Sequence, residues 1–362
     1  MKESISAEKQ LYFELFELYK KRLKSKHLTY EAYRFERESA KSLAFSAHDI
    51  MNLSWEVRGY FPFMVYHPTR QINAPMYIDR IIEQWFVEKY IQPVFVPQLY
   101  EFNMACQPGK GPFLTMDYVK AAIAEIYSMY GTDFCVFQFD VEGYFDNFRH
   151  DTAKAIMQEI GEEGLWMYEK IVDSFKVEDS YGSRGDPDKF HEYGVPKGNL
   201  PSQWTGIIFL NELDWEIYEN PSCLFNIRYM DDGLNFFHTI AECRECYEDV
   251  KEFLDVNELG IRLHPKKTYY APISRGFTFC GWHYSMEGKG KIHVRIKNTK
   301  KKEMEHRLKI ISEEVRTGKM SLKQANTIRD GMFEYLSHGT ESNQLIKYMK
   351  HQYPFPVYKK KG

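Results

Sequence analysis

Residues 229–232 of this chain are Tyr229-Met230-Asp231-Asp232, and apolar runs flank them on both sides. The runs, Leu224 to Ile227 and Leu234 to Phe237, predict two strands joined by a tight turn. Two adjacent carboxylates in a mostly apolar setting destabilise a fold unless cations neutralise them. The turn is therefore either a metal site or a solvated Asp-Asp turn, and the surrounding sequence decides between the two.

A third carboxylate ends an apolar run further upstream. Residues 134–139 are mostly aromatic and β-branched, and they predict a buried strand whose last residue is Asp140. A strand end beside the hairpin would bring Asp140, Asp231 and Asp232 around two Mg²⁺ ions, which prefer oxygen ligands. Two such ions can activate a 3′-hydroxyl and stabilise a leaving pyrophosphate. Asp140 alone would more often be a helix cap or a turn residue, so the metal-site prediction depends on the three acids together.

The order of motifs along the chain resembles that of prokaryotic reverse transcriptases. The motifs cover roughly residues 60–285 and are, in chain order, Arg70 to Pro75 with Asp79-Arg80, Ala105 to Gly111, Phe137 to Asp140 with Tyr144 to Asn147, Gly194 to Gln203, Arg228 to Asp232, Leu263 to Thr268, and Phe279 to Trp282. The resemblance implies an α+β fold of the right-hand polymerase type, with fingers, a palm built on an antiparallel sheet, and a helical thumb. It also implies an RNA-directed DNA polymerase, a nucleotidyltransferase.

The resemblance assigns roles around the acids. It implies two Mg²⁺ ions, for which Mn²⁺ could substitute, held by Asp140, Val141, Asp231 and Asp232. Lys267 would protonate the departing pyrophosphate, and its neighbour Lys266 is an equally suited alternative on sequence alone.

Residues expected at the incoming nucleotide lie in three of the motifs. Phe145, five residues after Asp140, occupies the family's sugar-gate position, where an aromatic ring would exclude a 2′-hydroxyl; a core role is the alternative. Arg70 and Arg80 are candidates for the triphosphate, because guanidinium groups match phosphate oxygens. Arg80 has the alternative of a structural ion pair with Asp79.

The motif from Gly194 to Gln203 contains two glycines and two prolines, which suits a loop whose backbone approaches a ligand closely. Lys197 and Gly198 are expected at the nucleotide. Many relatives have Gln or an apolar residue in place of Lys197, and both a phosphate contact and a solvated loop lysine remain open. The residues expected at template and primer are Ser202, Gln203, Tyr229, Met230, Gly281 and Trp282, although residues 279–282 also suit an ordinary strand.

Charge is distributed unevenly along the 362 residues, which are enough for two or three subdomains. Residues 291–362 contain 17 Lys+Arg and 7 Asp+Glu, a net charge of +10, whereas the remainder has 48−17 = 31 basic and 51−7 = 44 acidic residues, a net charge of −13. A basic module of this kind suggests a surface that follows phosphates, with a solvated helical face as the alternative.

We expect N-terminal helices and fingers over 1–120, a palm over 121–286 with a finger segment at about 152–192, and a basic helical thumb over 287–362 that begins near Gly288, Lys289 and Gly290.

The cysteines predict free thiols. Of the six, only Cys243 and Cys246 are closely spaced, and no second Cys/His pair completes a zinc site, so a helix between the third and fourth palm motifs is expected there. Free thiols, no signal peptide and no long apolar run predict a cytoplasmic protein without membrane contact.

The serine followed by glutamine at 202–203 is typical of reverse transcriptases of diversity-generating retroelements. That similarity implies error-prone copying of a template RNA, with frequent errors opposite adenines, from a DNA or RNA primer with deoxynucleoside triphosphates. It also implies a small helical accessory protein. The alternatives are a phage-defence enzyme of the abortive-infection type, in some cases template-independent, and a non-catalytic nucleic-acid-binding relic. The three acids weigh against a relic, and Phe145 and Met230 weigh against an RNA-directed RNA polymerase.

Overall fold

A computed structural model of the chain describes residues 2–25, 30–66, 69–175, 193–256, 260–287, 290–340 and 342–354. The chain divides into two units, each assembled from three chain segments. Unit 1 comprises Met1–Cys106, Asp140–Glu216 and Glu248–Pro265, and unit 2 comprises Gln107–Phe139, Ile217–Tyr247 and Lys266–Gly362. The mixture of helices and antiparallel sheets confirms the predicted α+β class.

The elements follow one another along the chain in this order. The first are α1 (Lys2–Ser25), α2 (Tyr30–Glu36), α3 (Ser39–Met51), β1 (Tyr60–Tyr66), β2 (Thr69–Pro75), α4 (Tyr77–Phe86) and α5 (Gln92–Phe95). Next come α6 (Pro112–Tyr130), β3 (Cys135–Asp140), α7 (His150–Ile156), α8 (Gly161–Asp173), α9 (Leu200–Phe209), α10 (Asn211–Glu219), β4 (Cys223–Tyr229), β5 (Asp232–Phe237) and α11 (Ile240–Val256). The last are β6 (Tyr269–Pro272), β7 (Phe277–Phe279), β8 (Trp282–Glu287), β9 (Lys291–Ile296), α12 (Asn298–Arg316), α13 (Leu322–Ser337) and α14 (Ser342–Gln352).

Unit 1 contains the N-terminal helices and the β1–β2 hairpin. Leu11, Leu15 and Leu18 of α1 are buried, because positions four and three residues apart lie on one face of a helix. Phe13 of the same helix is half exposed. The strands of the hairpin are antiparallel, with Tyr60 opposite Pro75 and Tyr66 opposite Thr69.

The main sheet of unit 2 has the strand order β4-β5-β3-β6. Strands β4 and β5 form the predicted hairpin, in which Tyr229 pairs with Asp232. Every residue of β3 is buried, as expected for a strand in the interior of a sheet. The predicted strand ending at Asp140 and the predicted Asp-Asp hairpin therefore belong to neighbouring strands of one sheet.

Unit 2 also holds a second sheet, with the order β7-β8-β9, and the C-terminal helices α12 to α14. The sequence predicts helices in this region, and the structure confirms them. A capping box at Ser321 and Gln324 fixes the start of α13. Both cysteines of the close pair lie on α11, as predicted, and all six cysteines are free.

The predicted domain limits remain predictions. Helix α6 runs without interruption across the limit at 120/121, and β8 and β9 pair across the limit at 286/287, with Glu287 opposite Lys291. Gly288 and Lys289, and residues 176–192 of the predicted finger segment, lie outside the described residues. Among the helices that the structure describes, none is long and apolar enough to span a membrane.

Candidate active site

The acidic turn between β4 and β5 is held from inside unit 2 by an arginine. Met230 has a φ of +61°, a left-handed conformation that is unfavourable for a residue with a side chain. The guanidinium Nη1 of Arg228 donates a hydrogen bond of 2.5 Å to the Met230 carbonyl, and Arg228 is only 1% exposed. The buried positive charge thereby fixes the peptide immediately before Asp231.

Gly233 allows β3 to approach this hairpin closely. A Cβ atom added at Gly233 would lie 2.2 Å from ring atoms Cε1 and Cζ of Phe139, far inside van der Waals contact. Phe139 immediately precedes Asp140, so this packing sets the end of β3 against the strand that begins at Asp232. Sequence analysis did not single out Gly233, although a glycine within a strand pattern often marks close approach of another element.

The chain around Asp140 is fixed by an antiparallel bridge between Val141 and Leu263 in unit 1. The His264 N–H donates to the Asp140 carbonyl (2.7 Å), and the Glu142 N–H donates to the Arg262 carbonyl (2.9 Å). Because carbonyls alternate in direction along an extended chain, that of Val141 points away from Leu263. Asp140 itself is 6% exposed.

The chemistry of the predicted donors fits a hard divalent cation. Carboxylate oxygens and a backbone carbonyl are ligands that Mg²⁺ accepts. The thiol of Cys280 does not compete, because burial and, secondarily, the charge of Asp232 raise its pKa well above the usual range. Within the described residues, no three His, Cys, Asp or Glu side chains are already grouped as a metal cage. Since Mg²⁺ commonly takes one or two carboxylates together with substrate phosphates, the residues fit a metal that completes its shell with a nucleotide.

Unit 1 brings the predicted sugar gate and the loop before α9 together. The Val195 N–H donates to the Phe145 carbonyl over 2.8 Å, and Lys197 Nζ donates to Asp146 Oδ2 over 2.5 Å. Lys197 is therefore not a solvated loop lysine; its side chain is 28% exposed and paired. Phe145 is half-buried, with its ring 5.8 Å from that of Phe148. The gate role of Phe145 and a phosphate contact of Lys197 remain predictions.

The same loop is joined to β2 of the predicted fingers. The Asn73 N–H donates to the Lys197 carbonyl over 2.7 Å. Gly198 has a φ of +126°, and a Cβ there would lie 2.7 Å from Cγ2 of Ile72 and 3.1 Å from the Asn73 carbonyl. Glycine is thus required at 198 both by its conformation and by the closeness of β2. Arg70 lies exposed on this strand.

Helix α9 begins directly after this loop. The side chain of Asn199 accepts a hydrogen bond from the Ser202 N–H (2.9 Å), which caps the first turn. Ser202 is buried and Gln203 is half-buried. The structure therefore places Ser202 and Gln203 on the first turn of a capped helix beside the loop that carries Lys197 and Gly198.

The alternative role of Arg80, a structural ion pair, is observed with Glu31 and not with Asp79. Asp79 pairs with Arg58 at 2.9 Å, whereas Arg80 pairs with Glu31 and lies over the ring of Tyr77. Adjacent residues on a helix point in different directions, which explains why the two side chains find separate partners. A triphosphate contact of Arg80 remains a prediction and would have to compete with Glu31.

The remaining candidates lie in unit 2. Lys266 and Lys267 are both exposed, so the structure does not separate them as proton donors. Gly281 is exposed with a φ of +82°, whereas Trp282 is 1% exposed and stacks on Tyr335 at 5.1 Å. A primer contact at this motif would therefore involve the backbone of Gly281, with Trp282 supporting it from within.

Comparison with known proteins identifies the fold. Residues 67–284, more than half of the chain, match the family model described as "Reverse transcriptase (RNA-dependent DNA polymerase)". No curated protein matches the chain.

Solved structures that it resembles include an apo telomerase of Candida tropicalis truncated from its C-terminal domain, at 13% identity and a TM-score of 0.43, covering 63% of this chain and 52% of that one. A telomerase of Candida albicans in complex with a fragment of telomeric RNA matches at 10% identity and a TM-score of 0.49, covering 91% of this chain and 61% of that one. The chain thus spans between half and two thirds of the length of these two structures.

Proposed function

We propose that this chain, which belongs to the reverse transcriptase family with its right-hand polymerase fold, is an RNA-directed DNA polymerase and that Asp140, Asp231 and Asp232 are the acids of its nucleotidyl transfer. The observation that best supports this proposal is the contact of Gly233 with Phe139. It sets the end of the strand that terminates in Asp140 against the strand that begins with Asp232. Acids that are far apart in sequence thereby belong to adjacent strand ends.

In the proposed reaction, the primer 3′-hydroxyl gives its proton to solvent water and its oxygen attacks the α-phosphorus of a deoxynucleoside triphosphate. The bond from that phosphorus to the β-phosphate oxygen breaks, and pyrophosphate leaves with a proton supplied by Lys267 or Lys266. Divalent cations bound at the acids and at the Val141 carbonyl would supply Lewis acidity for both oxygens. The protein orients these ligands through the Arg228 hydrogen bond and the Val141–Leu263 bridge. Mg²⁺ is the cation proposed, in two sites.

The nucleotide is proposed to lie along the loop from Val195 to Asn199. Phe145 would select against a 2′-hydroxyl, and Arg70 on β2 would contact the triphosphate. Hydrogen bonds join the loop to β2 and to the turn at 145–146. They support this proposal, since they fix the positions of the loop, β2 and the turn relative to one another.

The biological role proposed is error-prone copying of an RNA template in a diversity-generating retroelement, with a small helical accessory protein as partner. It is supported by Ser202-Gln203, which lie on the first turn of α9.

A primed RNA template, deoxynucleotides and Mg²⁺ test this function when the products are sequenced. Templated cDNA with errors concentrated opposite adenine is the expected result. Accurate cDNA would contradict the diversity-generating role and keep the polymerase activity. Product without template dependence would contradict both and would favour the phage-defence alternative.

A further inference from the structure

Asp146 is an acid beside the proposed sugar gate that the proposed reaction does not use. It follows Phe145 in a single turn of 3₁₀ helix, Tyr144–Asp146. Its Oδ2 atom accepts a hydrogen bond of 2.5 Å from Nζ of Lys197, and the side chains of Lys197 and Asp146 are 28% and 33% exposed. A carboxylate and an ammonium group this close form a charge-assisted hydrogen bond, which is stronger than a neutral one. The pair therefore joins two segments that lie 51 positions apart in the chain.

Lys197 is held from two sides. Its carbonyl accepts a hydrogen bond from the Asn73 N–H of β2 over 2.7 Å, while its ammonium group donates to Asp146. Two positions earlier in the same loop, the Val195 N–H donates to the Phe145 carbonyl over 2.8 Å. One lysine thus connects β2, the loop before α9 and the turn that carries the gate ring.

The geometry of this turn makes its outer side chains matter for the middle one. A 3₁₀ helix has three residues per turn, so successive side chains point about 120° apart. Tyr144 is 3% exposed, and its hydroxyl donates to the Gly206 carbonyl of α9 over 2.6 Å. Asp146, which follows Phe145, is held by Lys197. Because both neighbours of Phe145 are fixed, the direction in which its side chain leaves the backbone is fixed as well.

We infer that Asp146 is a positioning residue for sugar selection: through its ion pair with Lys197 it holds the turn against the loop before α9 and so directs the ring of Phe145. This inference rests on the proposed function, because it takes Phe145 as the sugar gate. In this role, the ammonium group of Lys197 binds Asp146 and not the triphosphate.

Removal of either charge tests the inference. Asp146→Asn keeps the size of the side chain and Lys197→Met keeps its length, but each abolishes the ion pair. The measured quantity is the ratio of kcat/KM for a deoxynucleotide to kcat/KM for the matching ribonucleotide. We expect each substitution to lower this ratio by about fivefold, the effect of losing one partly exposed ion pair, and the double variant to be no worse than the single ones. Lys197→Arg, which keeps a donor for the carboxylate, should retain most of the preference.

Lys154→Met is the matched control. The Lys154 side chain is 27% exposed, against 28% for Lys197, and its Nζ lies 2.8 Å from Oδ1 of Asp173, also within unit 1. This pair joins α7 to α8, so its loss should leave the sugar ratio within about twofold of the parent. In the Phe145→Ala background, Asp146→Asn should change the ratio no further, because the ring that it positions is absent.

A contact of Lys197 with the triphosphate would give effects of opposite sign. If Lys197 bound the phosphates, Asp146→Asn would free its charge and lower the KM for deoxynucleotide, whereas Lys197→Met would raise it. That result would overturn the inference, and so would additive effects of the two substitutions on the sugar ratio. A lower melting temperature with an unchanged ratio would assign the pair a merely structural role and would overturn it as well.

Amide hydrogen exchange gives a readout that does not depend on activity. In Asp146→Asn, the Val195 amide, which donates to the turn, should exchange faster than in the parent, while Lys154→Met leaves it unchanged. Unchanged exchange at Val195 in Asp146→Asn would overturn the inference. If the parent made no product while exchange responded as predicted, the proposed function would fail and the junction between loop and turn would stand. If the parent preferred deoxynucleotides and neither substitution changed that preference, the proposed function would stand and the inference would fail.

Discussion

Gly233→Ala is the substitution that most sharply probes how the active site is built. The added Cβ would lie 2.2 Å from the Phe139 ring, and ordinary contact begins near 3.4 Å, so ring and hairpin must separate by 3.4 − 2.2 = 1.2 Å. Overpacking of a buried site typically costs about 1–3 kcal/mol of unfolding free energy. A displacement of about 1 Å at reacting groups can cost on the order of 10²-fold in rate. We therefore expect a destabilised protein that still folds and incorporates a single deoxynucleotide roughly a hundredfold more slowly.

Denaturant unfolding and single-nucleotide incorporation measure the two effects. Gly331→Ala is the control, since nothing lies within 4 Å of a Cβ at this position on α13; it should stabilise by about 0.5–1 kcal/mol and leave the rate unchanged. Phe139→Leu in the Gly233→Ala background should recover part of both losses, because the smaller side chain restores space. Parental stability and rate in Gly233→Ala, or strict additivity of the two substitutions, would refute the packing on which this reasoning depends.

Two further substitutions probe individual side chains. Phe145→Ala should raise the ratio of ribonucleotide to deoxynucleotide incorporation by at least about tenfold, because it removes the ring that would exclude a 2′-hydroxyl. A competition assay with both nucleotides measures this ratio. An unchanged ratio would show that Phe145 is not the sugar gate. Arg228→Met should lower the free energy of unfolding by about 1–3 kcal/mol and slow incorporation, because the Met230 carbonyl loses its buried donor. Arg228→Lys should lose less stability and activity than Arg228→Met. Full activity in Arg228→Met would show that the turn needs no such hydrogen bond.

The strands and the acidic turn could be predicted because their signals are local. A run of apolar residues ending in Asp140, and two apolar runs around Tyr229 to Asp232, specify strands and a hairpin within a few residues. The family motifs then implied that these strands are neighbours, and the sheet order confirms it. The close approach of β3 to β5 depends on the contact between Gly233 and Phe139, and Phe139 lies 94 positions earlier in the chain (233 − 139).

Pairings between distant side chains could not be predicted from local patterns. Lys197 pairs with Asp146 and Arg80 pairs with Glu31, and each pairing depends on how elements pack after they form. The division into two units is not a local signal either. Each unit combines three separate chain segments, whereas a composition change can mark only a position along the chain.

The most direct test of the central claim is primer extension on an RNA template with Asp231→Asn. Asp133→Asn is the matched control, because Asp133 is an exposed acid in the turn before β3. With the fold verified by unfolding, Asp231→Asn should lose all measurable incorporation at any Mg²⁺ concentration, while Asp133→Asn extends the primer like the parent. Near-parental extension by Asp231→Asn would show that the acidic turn is not the centre of nucleotidyl transfer.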